Sequence, residues 1–257
     1  MKLLRFIHNN KKLYGIAQHE NVRVIHGDIF GEYTATDTIL KIEDIKILPP
    51  CDPTKIVCVG LNYYEHQLEM NEFADKFPIL FIKPNTAVIA HNENIINPKG
   101  VDRVDFEAEL AVVIKKRAKN IKKGTAKDYI LGYTCFNDVT AREIQKQDGQ
   151  WTRAKSFDTF APVGPYITTE VEPDNLDIQL LVNGQVRQHS NTNKLIWNVD
   201  FLVEQISNIM TLLPGDIIAT GTPSGCGKME DGDKVEVIIE KLGTLTNHLI
   251  GGEERLK

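Results

Sequence analysis

The stretch Val104–Lys116, VDFEAELAVVIKK, decides how this chain is read. Polar and apolar residues alternate from Val104 to Glu109, then give way to the unbroken apolar run 110–114. Alternation that passes into a run of β-formers predicts a strand entering a core. Side chains at i and i+2 of a strand share a face, roughly 7 Å apart at their Cα atoms. Glu107 and Glu109 therefore point the same way, on the face that continues as Ala111 and Val113. Two like charges aimed together at a core are costly unless something neutralises them. The simpler reading is a strand with one solvated face, which would carry Asp105 in the same alternation.

The surrounding chain is built to fold in water. It has 257 residues, enough for one large domain with a small appendage. Hydrophobic residues make up 42% and charged residues 25%, the balance of an ordinary globular protein. The formal net charge is −5 and no dense Lys/Arg run occurs, so a nucleic-acid or anionic-membrane partner has no compositional support. Apolar runs are strand-sized, far short of a membrane span, and the apolar part of the N-terminus is too short for a signal peptide. Cys51, Cys58, Cys135 and Cys226 are scattered without a CxxC, which reads as reduced thiols in a cytoplasmic protein.

Outward from the opening stretch, strands dominate. Residues 2–26 predict a β-meander of three short strands, and the proline-rich segment 47–54 predicts a linker. The expected division is a small N-terminal β domain, residues 1–50, and a main domain, residues 51–257. In the main domain KIVCVG, PILFIKP, YTCFN, PVGPYITT, DIIATGT, KVEVIIE and GTLTNHLI read as strands. Asn183-Gly184 marks a hairpin. Short helices are expected near residues 62–70, with Asn62 as cap, and from Thr140. The strongest helical pattern is Val199, Leu202, Val203, Ile206 and Met210, behind Asn198 as cap. The expected class is mostly β with a few helices, a mixed or antiparallel architecture and not a βαβ wind.

A third acid, Asp138, follows the strand YTCFN, where strand ends and loops commonly build sites. Three converging carboxylates form a hard-oxygen donor set, suited to Mg²⁺, Mn²⁺ or Ca²⁺ far better than to zinc. With Lys155 and Arg142 lining the same pocket, a dication would leave net positive charge for an anionic substrate.

Five motifs then occur in order: VGLNYYEHQLEM, DFEAELAVVI, FNDVTAREIQ, WTRAKSFDTFAPVGP and LLPGDIIATGTPSGCG. Over roughly residues 50–250 the chain resembles the fumarylacetoacetate hydrolase family. The resemblance implies a β-rich roll-like catalytic domain, a homodimer, and one divalent metal held by Glu107, Glu109 and Asp138. It further implies roles for Lys155, for Arg142 and Gln145, for Thr222 in the Gly-Thr-Pro turn, and for a His66–Glu69 pair. It also suggests a lid in the segment 67–77.

Elementary chemistry bears on these roles. His66 and Glu69 are three apart and share a helix face, where a carboxylate raises imidazole basicity and fixes its tautomer. The simpler reading is an incidental pair on an exposed turn. Arg142 either forks onto a substrate carboxylate or only pairs with Asp138 or Glu143. Lys155 lies in a partly apolar segment, against the usual surface lysine. Thr222 either offers its hydroxyl to a carboxylate or sits in an ordinary tight turn. The other six histidines fit no ligand spacing, and Trp197 reads as packing or part of a dimer face.

The first functional reading is a metal-dependent hydrolase that cleaves a C–C bond in a 2,4-dioxo acid of the acylpyruvate type. His66 would activate water, and a pyruvate enolate would leave. The second is an isomerase or decarboxylase of 2-hydroxyhepta-2,4-diene-1,7-dioate-like or oxaloacetate-like acids. A third is a silent, metal-stabilised scaffold, against which the complete polar set argues.

Overall fold

In the computed structural model, which describes residues 1–74 and 76–251, the opening stretch is two strands and not one. Val104–Phe106 lies in a three-stranded sheet with Thr140–Ala141 and Gly227–Met229. Glu107 is the hinge, and Ala108–Ile114 continues in a twelve-stranded sheet. Every residue of Ala108–Ile114 is buried. Leu110, Val112 and Ile114 pack with the helix residues Val199, Leu202, Val203 and Ile206 and with the five-stranded sheet. Ala111 and Val113 face a second core containing Ile56, Cys58, Phe81 and Ile217. A strand covered on both faces needs apolar residues at every position, which is why alternation stops at Leu110.

The large sheet runs from the N-terminal meander to the site. Tyr33–Lys41 forms one edge, followed inward by Asn21–Gly27, Lys11–Gln18 and Lys2–His8. Lys2–His8 pairs antiparallel with Ala161–Thr168, so the meander is hydrogen-bonded into the main sheet. Then come Ile130–Asn137, Ala108–Ile114, Ile217–Ala219, Ile56–Gly60 and, at the far edge, Ile79–Lys83. Across from it stands the five-stranded sheet of Gln185–Asn191, Asp177–Val182, Lys234–Ile239, Gly243–Gly251 and Asn94–Asn97. The molecule is mostly β with few helices, as expected.

Local signals behave as their chemistry dictates. Asn183 and Gly184 take φ of 51° and 78°, and two consecutive positive values are what a two-residue type I′ hairpin needs. Asn198 accepts the Phe201 N–H at 3.1 Å and caps helix Val199–Ile209.

Two expectations are corrected. Asn62 caps no helix. Helix Tyr64–Met70 begins after Tyr63 without a side-chain cap, while Asn62 is fully buried and ties to the Trp197 backbone and the Thr220 carbonyl. The chain needs a side chain there to stitch two distant segments, and that need wins over capping. The helix expected from Thr140 starts at Arg142, because Thr140–Ala141 is drawn into the small sheet. A strand at Tyr33–Lys41 was unforeseen. None of its residues is buried, so it lacks the apolar alternation that advertises a strand. Of the segment 67–77 read as a lid, Asp75 lies outside the described residues, as do residues 252–257 at the end of the second expected domain. Among the described residues no helix is long and apolar enough to cross a membrane.

Candidate metal centre and active site

The hinge at Glu107 builds the site. Its backbone N–H donates to the Asn137 side chain at 2.9 Å, and its carbonyl accepts from Asp138 N–H at 2.9 Å. The next N–H, of Ala108, donates to the Gln188 side chain at 2.9 Å. These bonds lock the point where the chain changes sheets and set Asp138, at the end of Ile130–Asn137, beside Glu107. Glu109 follows inside the large sheet, opposite Phe136. Oxygens of Glu107, Glu109 and Asp138 lie within 4.8 Å of one another, with all three residues buried.

Cations surround this cluster unevenly. The Lys155 ammonium, at the end of the short helix Thr152–Lys155, bridges Glu107 at 2.7 Å and Asp138 at 2.6 Å. Lys83, fully buried at the end of Ile79–Lys83, pairs with the other Asp138 oxygen and donates to the Val139 carbonyl at 3.0 Å. Arg142 donates to Asp105 at 2.8 Å, to Gln145 at 2.6 Å and to Glu107. Among the described residues Glu109 has no basic partner in an ion pair. It accepts the Gly221 N–H at 2.9 Å.

Protonation follows from these neighbours. Burial first, then Asp138 and Glu107, push the Glu109 carboxyl well above the usual range. Burial also works against an ionised Glu107, but the nearby Lys155 and Arg142 outweigh it and hold that carboxyl low. Lys155 is held above its ordinary range, because Asp138 and Glu107 overcome the cost of burial. Beside these two carboxylates the ammonium form is favoured.

A hard dication fits this donor set. Glu109 is a buried carboxyl without a basic partner among the described residues, facing two more carboxylates, and a metal between the three would supply the missing countercharge.

The acids open into a cavity of about 360 Å³. His66, Gln145, Thr222, Arg142 and Lys155 line it together with the three acids. An apolar wall includes Phe81 and Trp151, which meet edge-to-face at 5.2 Å between centroids. His66 and Glu69 touch, with Nδ1 2.9 Å from the carboxylate, and His66 is buried, so this is no exposed incidental pair. Burial raises the Glu69 carboxyl, but His66 and the Gly225 N–H outweigh it and hold it low. Thr222 Oγ1 accepts the Gln188 amide at 2.9 Å, which fixes the oxygen and leaves its own proton to donate.

Every site residue expected from the sequence therefore reaches one cavity or its wall, with Glu69 one contact behind His66. Arg142 corrects the second sequence alternative. It pairs with Asp105 and Glu107 instead of Asp138 or Glu143, and three of its nitrogens are already engaged by protein groups. Its geometry makes it a brace for Glu107 and Gln145. Two charged residues escaped the sequence reading. Lys83 left one signal, a lone lysine closing an apolar strand before a proline. Asp105 was visible in the alternation but assignable to solvent, whereas it is fully buried under Arg142 and Arg103.

Comparison with known proteins shows the family. Residues 1–50 match the family described as Rv2993c-like, N-terminal. The chain is 40% identical over 215 residues to oxaloacetate tautomerase Fahd2a, mitochondrial, of Rattus norvegicus, covering 79% of this chain and 69% of that one. The structure of 2-hydroxyhepta-2,4-diene-1,7-dioate isomerase from Mycobacterium marinum superposes with a TM-score of 0.91 at 43% identity, over 99% and 100% of the two chains. Maleylpyruvate hydrolase from Sphingobium sp. SYK-6 superposes at 0.82 with 27% identity, over 98% and 100%. Residues 55–250 match the description Fumarylacetoacetate (FAA) hydrolase C-terminal, and the chain belongs to the fumarylacetoacetate hydrolase family of enzymes.

Proposed function

We propose that this protein is a divalent-metal-dependent enzyme that moves a proton on the carbon chain of a short 2-oxo acid, at C3 to interconvert enol and keto forms or at C5 of a 2-hydroxy-2,4-dienoate to shift the double bond. The observation that carries this reading is the sharing of one cavity by three clustered carboxylates, a fixed ammonium and a carboxylate-held imidazole. A dication held by Glu107, Glu109 and Asp138, Mg²⁺ or Mn²⁺ by the chemistry of the donors, supplies Lewis acidity toward the substrate's 2-oxo and carboxylate oxygens.

The chain's own groups do the rest. Lys155, seated between Glu107 and Asp138, presents positive charge to the oxygen that turns anionic as the carbon-bound proton leaves. His66, with Nδ1 fixed by Glu69, takes and returns that proton through its other nitrogen. Gln145 has its oxygen committed to Arg142, so its amide N–H groups remain for a substrate carboxylate. Thr222 offers its hydroxyl proton to the same class of group. Phe81 and Trp151 shield one side of the cavity from water.

C–C hydrolysis of an acylpyruvate-type acid, first in the sequence reading, is the second reading here. The same imidazole would deprotonate a water, and a hydrolase is among the structural relatives. Proton transfer is placed first because the relatives named for it are 40% and 43% identical, against 27% for that hydrolase.

The test is a side-by-side assay with Mg²⁺ of oxaloacetate tautomerisation, 2-hydroxyhepta-2,4-diene-1,7-dioate isomerisation and acylpyruvate cleavage. Turnover of an enolisable acid without bond cleavage is expected. Cleavage as the faster reaction selects the second reading, and no turnover of any of them rejects both. The division into residues 1–50 and 51–257 is retained as a proposal, supported by the two separate family matches. It is tested by whether residues 51–257 melt cooperatively when produced alone.

A further inference from the structure

A second cluster of ligand atoms lies beside the first and has a different chemistry. His66, Glu69 and Cys226 each offer one ligand atom, all within 4.8 Å of one another. The Glu69 oxygen that meets His66 Nδ1 at 2.9 Å is 3.9 Å from the Cys226 sulfur. The loop after Thr222 holds this arrangement, because Gly225 N–H donates to the other Glu69 oxygen at 3.0 Å. Gly225 has φ of 94°, and a Cβ there would stand 2.4 Å from the Arg187 carbonyl, so the loop has one available path. Cys226 is half-buried, whereas Cys51, Cys58 and Cys135 are buried.

We propose that His66, Glu69 and Cys226 form an inhibitory site for a borderline-soft dication, Zn²⁺ being the natural occupant. Imidazole, carboxylate and thiolate are zinc's three protein donors, and bonds of about 2.0–2.3 Å put tetrahedral ligands roughly 3.3–3.8 Å apart. Zinc would need the 2.9 Å His66–Glu69 contact to open and the Cys226 sulfur, 3.9 Å from Glu69 and within 4.8 Å of His66, to draw in. The balance is simple: zinc enters, the Cys226 thiol loses its proton to solvent, and the thiolate with Glu69 neutralises the dication. Arg142, whose Nη2 lies 3.6 Å from the sulfur, keeps its partners Asp105 and Glu107. Mg²⁺ has little affinity for such a set, so the two sites sort metals by hardness. Zinc bound here occupies the imidazole to which the proposed function gives the proton, so the inhibitory role rests on that reading.

Cobalt(II) substitution tests binding without any assay of turnover. Titrated into protein saturated with Mg²⁺, Co²⁺ should raise a near-ultraviolet thiolate-to-cobalt band, and zinc should release about one proton per ion. Cys226→Ala should abolish the band while keeping the thermal shift given by Mg²⁺. Cys226→Ser serves as the second variant if the alanine protein folds poorly. No band in the wild type, or an unchanged band in both variants, overturns the site whether or not a substrate is found. With a substrate in hand, Cys226→Ala should need more zinc for half-inhibition, by at least the roughly 10–100-fold that an outer-shell change costs a metal site. Equal zinc sensitivity would place the inhibition at the carboxylate cluster and reject the inhibitory role.

Discussion

The backbone N–H of Gly221 donates to the carboxylate of Glu109 at 2.9 Å, across 112 residues of sequence. That bond holds an acid which no basic side chain neutralises among the described residues, against two other acids. Replacing Glu109 by Gln keeps the acceptor and removes the charge. The metal-free variant should melt above the wild type at neutral pH, by about 2–4 °C for each 1 kcal/mol of repulsion relieved. Its stabilisation by Mg²⁺ should vanish. Thermal unfolding with and without Mg²⁺ reads both, and a retained metal shift would remove Glu109 from the ligand set.

The sign of the pH dependence follows from the same group. Unfolded, Glu109 ionises near 4.5, while in the folded protein it holds its proton to higher pH. The unfolded chain therefore loses this proton first, and Glu109 makes the metal-free fold less stable as pH rises above about 4.5. A bound metal displaces that proton, so the Mg²⁺-induced shift should grow as pH rises above about 4.5. Glu107 works oppositely: its depressed carboxyl contributes stability above 4.5 that is lost on acidification. A metal shift independent of pH would contradict the Glu109 assignment.

Lys83 and Asp138 form a fully buried pair, and breaking one partner of such a pair typically costs 3–5 kcal/mol. Lys83→Met should lower the melting temperature by about 6–20 °C on that scale. Lys127, paired with Glu172 on the exposed surface, is the control, and Lys127→Met should change nothing measurable. Urea unfolding of the two variants separates the cases, and similar midpoints would argue that Asp138 is rescued by Lys155 alone.

His66→Gln should lower kcat by about 10²–10⁴, the usual contribution of a positioned acid–base group. Glu69→Gln should cost less, since it orients the imidazole without meeting the substrate. Both variants should keep their Mg²⁺-induced thermal shift, because neither belongs to the carboxylate cluster. Steady-state kinetics paired with melting curves checks this, and loss of the metal shift in His66→Gln would mean the two sites are not independent.

Much of this protein is legible locally. Asn183-Gly184 dictates its hairpin, Asn198 its helix cap, and the spacing of His66 and Glu69 their contact. Each of these depends on residues at most a few positions apart. Glu107 and Glu109 were also legible, because a charged pair running into an apolar strand is a conflict that demands an explanation, while Asp138 joined them through its place at a strand end and through the family resemblance.

What neutralises that conflict was decided only in three dimensions. Asp138 meets Lys83 across 55 residues, Glu107 meets Arg142 across 35 and Lys155 across 48, and Asn62 ties to Trp197 across 135. No periodicity encodes such pairs. They exist because the chain changes sheets at Glu107 and because Ile79–Lys83 and Thr152–Lys155 deliver their lysines to the same buried point. Sequence patterning specifies which face of an element is apolar. Charge compensation in a water-free interior depends on which elements cross, and that is a property of the packed sheets alone.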